Sequence, residues 1–136
     1  MFTNVLIGLK EGVDPGPILT LASSAVPIPA ALHLVTLVRI GNDGDEPGRL
    51  RNAEKRLEKR AEGLRTLGYE VTHETGLVVA AAAVDLLRIA EQRSSELIVI
   101  GLAKRSRVGK ALMGSDAQRV LLGAGCPVLV SRTAEV

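Results

Sequence analysis

The chain has 136 residues, 46% of them apolar and 24% charged, the size and balance of one water-soluble domain rather than two. A formal charge of +2 supplies no global field for nucleic acid or a membrane surface. Phe2 and Tyr69 are the only large aromatics, so the exposed rings on which base-stacking modules depend are missing.

Cys126 is the sole cysteine, which excludes an internal disulfide and a cysteine metal cluster and suits a reducing compartment. The first ten residues lack the charged and apolar regions of a secretory leader. The most apolar window, Gly76 to Val84, is far below the ~20 residues of a membrane helix. The expectation is a cytoplasmic domain over 1–136, without nucleic-acid or membrane partners.

In chain order, Val5 to Leu9 is a continuous apolar run and predicts a buried strand. Four prolines follow (Pro15, Pro17, Pro27 and Pro29), leaving room for a helix between Pro17 and about Ala25, with Asp14 as its start signal. Ala31 to Val38 is a second strand, and Gly41 to Gly48 an acidic, turn-rich loop. Leu50, Ala53, Leu57, Ala61 and Leu64 then recur at helical spacing among charged residues, and Gly68 closes that helix. Val71 to His73 falls in a third, more polar strand. Ala80 to Gln92 is a helix with an expected apolar face of Ala83, Val84, Leu87 and Ala90. Leu97 to Ile100, Ser115 to Leu122 and Val128 to Val130 complete the series as strand, helix and strand. This alternation implies an α/β fold with a parallel sheet and helices on both faces.

The motifs exclude more than they propose. Lys104 to Ala111 contains Gly109-Lys110 but lacks the first glycine and the hydroxyl of a Walker A loop. No G-x-G-x-x-G follows the first strand, and no serine occupies a nucleophile elbow. His33 and His73 stand apart within strands, without metal-ligand spacing, and read as structural. Cys126, next to Pro127, reads as a packed thiol. On the charged helix, Glu54, Glu58 and Glu62 offset Lys55, Lys59 and Arg56, as on a solvated exterior. Nothing forms a catalytic constellation, so the chain reads as a binding module and not an enzyme. What stands out is Leu97 to Gly101, a basic loop (Lys104, Arg105, Arg107, Lys110) and Gly114-Ser115 opening a helix. A strand that ends on glycine and a Gly-Ser helix start together present backbone N–H groups and a helix dipole to an anion.

At this loop the sequence resembles the universal stress protein (UspA-like) family. The likeness runs over essentially the whole chain: V-L-I-G-L at the start, L-H-L-V in strand two, E-L-I-V-I-G, G-S-D-A-Q-R-V-L-L and C-P-V-L-V-S-R. ATP-binding members carry a glycine, two residues, a second glycine, nine residues and Gly-Ser or Gly-Thr. Gly101 and Gly114-Ser115 match that pattern, and Lys104 replaces the second glycine. The resemblance implies one Rossmann-like domain, an open five-stranded parallel sheet in order 3-2-1-4-5. The crevice between strands one and four is also where the topological switch rule puts a ligand.

Carried over by position, adenine of ATP or AMP would meet Leu9, Lys10 and the backbone of Leu34. Ribose and phosphates would meet Ile100, Gly101, Lys104, Gly114, Ser115 and Asp116. Lys10 stands where the family's ATP binders place an aspartate, and an ammonium cannot accept a hydrogen bond from adenine's amino group. The family also implies a homodimer through Val128 to Ser131, whose apolar edge needs cover. Two functions remain open: a stress-response module with a degenerate adenine-nucleotide or anion pocket, and a dimeric interaction module whose ATP site is lost.

Overall fold

The computed structural model describes residues 2–103 and 114–133. Among them, five strands and four helices alternate: β1 (Asn4–Gly8), α1 (Gly16–Ala25), β2 (Ala31–Val38), α2 (Glu46–Leu67), β3 (Glu70–Leu77), α3 (Ala82–Gln92), β4 (Leu97–Ala103), α4 (Ser115–Gly123) and β5 (Val128–Thr133). The strands form one sheet in order β3-β2-β1-β4-β5, all parallel. The expected order and class are both observed.

Alternation along each strand divides the core in two. Val5, Ile7, Leu32, Leu34, Leu97 and Val99 face α1 and α2. Leu6, Val35, Ile98 and Ile100 face α3 and α4. With helices on both sides the central strands must be apolar throughout, which is why β1 reads as a continuous run.

The helix ends follow local chemistry. The Asp14 carboxylate accepts the Gly16 N–H at 2.9 Å in a turn just ahead of α1, whose N-cap position is Pro15. Ala53, Leu57, Ala61 and Leu64 are the buried stripe of α2, and Gly68 stops it with φ of 113°. The α2 exterior is more engaged than a solvated face: Glu58 bonds His73 and Arg65, and the Arg65 guanidinium donates to the Val71 carbonyl at 2.8 Å.

The third strand contains Val71 to His73 at the sheet edge, as expected, and runs on to Leu77 through polar residues such as Glu74 and Thr75. One expectation is corrected. The apolar face of α3 is Ala83, Leu86, Ile89 and Ala90 with Leu87 packed partly buried beside them, as expected for Ala83, Leu87 and Ala90, while Val84 is turned outward at 46% exposure. Its alanine-rich start permits two phases of the stripe, and packing against α4 and the sheet selects this one.

Candidate functional site

The carboxyl ends of β1 and β4 diverge into a cavity of about 130 Å³. Gly8, Leu9 and Lys10 form its β1 wall, and Ile100, Gly101 and Leu102 its β4 wall. Ala83 and Leu86 of α3 and Ala117 and Val120 of α4 cover the side facing those helices. Gly8 keeps the floor open: a Cβ there would lie 3.1 Å from Leu86 Cδ2 and 3.4 Å from Ile100 Cγ2. The Leu9 N–H donates to the Val35 carbonyl at 2.8 Å, holding the β1 exit against β2.

Among the described residues, the charged lining side chains are Lys10, Arg39 and Asp116. Arg39 follows the end of β2, and its guanidinium donates to Asp116 Oδ2 in the first turn of α4. This pair ties the β2 wall to the α4 wall across the mouth of the crevice. Lys10 is exposed and makes no ion pair with any described residue. The other described lining residues are aliphatic or glycine, so an apolar body fits inside and an anion at the rim.

Leu9, Lys10, Ile100, Gly101, Gly114 and Asp116, all expected from the sequence, line this one cavity. Leu34 is not on its wall. The strand's alternation turns that side chain into the α1–α2 core, and its backbone lies in the ladder between Ile7 and His73. Val35 and Leu37 take its place. Ser115 is exposed at the start of α4 and is not a lining residue, while Gly114 before it is. Lys104 and the rest of the basic loop lie outside the described residues. Arg39 was missed, although its position just beyond a central strand's carboxyl end is where the switch rule concentrates ligand contacts.

The remaining candidates are structural. Buried His33 contacts Thr72 Oγ1 at 2.6 Å and Glu74 Oε1 at 2.8 Å. Burial pushes its pKa down, against the raising effect of the Glu74 bond. His73 bonds Glu58, while its Nδ1 lies 3.1 Å from Glu54 Oε1 without alignment for a hydrogen bond. Burial raises the pKa of Cys126, opposite to what a reactive thiolate needs. No group of three His, Cys, Asp or Glu among the described residues could hold a metal ion. No helix among them is long and apolar enough to cross a membrane.

Comparison with known proteins agrees with this architecture. A solved universal stress protein from Archaeoglobus fulgidus superposes with a TM-score of 0.79 at 22% identity, covering 96% of this chain and 99% of that one. The same organism's universal stress protein solved in complex with dAMP gives 0.71 at 19% identity, covering 96% and 98%. At these identities the likeness concerns the fold. Universal stress protein Slr1230 of Synechocystis sp. is 30% identical over 112 residues, which are 82% of this chain and 36% of that protein. The chain spans less than half the length of the curated relatives it matches. The model of the universal stress protein family matches residues 1–132, and the chain belongs to that family.

Proposed function

We propose that this chain is a regulatory module of the stress response, a homodimer whose crevice binds an adenine nucleotide through its base and a rim anion. The observation that carries the reading is the aliphatic cavity at the β1–β4 switch point, with Lys10 and Arg39 at its rim. The complex of a family member with dAMP supports an adenine ligand. At about 130 Å³ the cavity resembles the ~150 Å³ hole that accommodates benzene. A ring fits against its aliphatic walls, with ribose and phosphate toward the rim. Among the described residues the lining holds no histidine, serine or cysteine, which favours a site that binds its ligand over one that hydrolyses it.

The second reading, a dimeric interaction module without nucleotide, is favoured by Lys10, which offers donors only to a base that presents its amino group. Thermal-shift titration with ATP, ADP and AMP, with and without Mg²⁺, separates the two. A binder gains about 2.7 kcal/mol of stability at a hundred times its Kd. AMP is expected to raise Tm, and a flat response to every nucleotide at millimolar concentration leaves the second reading.

A further inference from the structure

We infer that Arg39 is the anion-reading residue of this crevice and that Asp116 is its built-in competitor. A ligand made of a ring and one anionic group binds by taking the guanidinium over from the Asp116 carboxylate. The inference rests on the crevice being a ligand site, and it goes further in naming what the rim recognises.

The geometry has three parts. Arg39 and Asp116 both line the cavity, on opposite walls, and bond each other across its mouth. Their side chains are 57% and 29% exposed, so an incoming anion can reach the pair from solvent. Ion pairs this exposed contribute little to stability, which leaves the exchange of one anion for another nearly balanced.

Asp116 also sits in the first turn of α4, where a carboxylate offsets the positive end of the helix dipole. A phosphate entering at Gly114 supplies the same compensation, with more charge and more acceptor oxygens. Two anions cannot share that space cheaply, so Asp116 opposes the ligand while it holds Arg39. Lys10 adds a second cation on the β1 wall, unpaired with any described residue and able to approach the same anion. A neutral ring-bearing ligand gains nothing from this rim and leaves the pair intact. The crevice therefore discriminates by the ligand's charge more than by its ring.

Isothermal titration of the full chain with AMP, adenosine and phenyl phosphate tests this, using wild type, Arg39→Gln and Asp116→Asn, each checked for folding by circular dichroism. Wild type should bind AMP about tenfold tighter than adenosine, and Arg39→Gln should abolish that difference. Asp116→Asn, which keeps an oxygen to accept from Arg39, should tighten AMP about tenfold and leave adenosine unchanged. An AMP-to-adenosine ratio that survives Arg39→Gln, or AMP weakened by Asp116→Asn, overturns the inference while the adenine pocket stands. Phenyl phosphate bound in an Arg39-dependent way, with neither AMP nor adenosine bound, upholds the inference and overturns the adenine reading. Binding of none of the three overturns both.

Discussion

Glu96, just ahead of β4, gathers three donors on one oxygen: the Thr3 N–H at 2.7 Å, the Thr3 hydroxyl at 2.9 Å and the Asn4 N–H at 3.0 Å. These bonds, the Thr3 backbone one foremost, hold its pKa below the usual carboxylate range. A depressed pKa gives stability that is present above the unfolded value of about 4.3 and is lost as pH falls through the folded one. Glu96→Gln should therefore lower Tm most at neutral pH, with the gap to wild type closing below about pH 4, in melts run across the acid range. His33 weakens the fold earlier on the same descent. Its lowered pKa keeps it neutral when folded, whereas the unfolded chain takes up that proton from about pH 6.5 downward. The structural character of His33 was legible from its place in an apolar strand. Its partners Thr72 and Glu74, like Glu96's hold on Thr3, were not, because they depend on strands far apart in sequence becoming neighbours.

At the scale of elements, α2 was legible because its stripe of Ala53, Leu57, Ala61 and Leu64 is regular and its stop is a glycine. Gly68 does more than end the helix. Its φ of 113° is strained for any L side chain, and a Cβ there would stand 2.8 Å from Ile28 Cγ2. Gly68→Ala should cost about 1–2 kcal/mol from the backbone alone, measured as a lower urea midpoint at unchanged m-value. In α3 the sequence placed Ala83, Leu87 and Ala90 correctly and Val84 wrongly, because an alanine-rich start suits either face and only the neighbouring helix decides. The crevice shows the same division. Its β1 and β4 walls follow from glycines at strand ends, which sequence displays, while Leu34 and Val35 differ by one step of strand alternation, which a short motif cannot resolve.

The whole molecule was legible in topology, through strand–helix alternation and the family likeness, and the observed order β3-β2-β1-β4-β5 matches it. What the sequence could not display was the contact between Arg39 and Asp116, since it needs β2 and α4 brought to one mouth. β5 is bonded to β4 and is an outer strand of the sheet, with Val128, Leu129 and Val130 only partly buried. Such an edge invites a second copy, and the proposed homodimer should sediment at twice the chain mass at micromolar concentration; a monomer there rejects it. The central place of β1 carries a consequence for biosynthesis. Its neighbours are β2 and β4, and β4 begins only at Leu97. At ~5–20 residues per second, translation leaves one flank of β1 without its partner for about 5 to 20 s. Val5, Leu6 and Ile7, wholly shielded in the finished protein, are the residues a nascent chain must keep out of trouble during that interval.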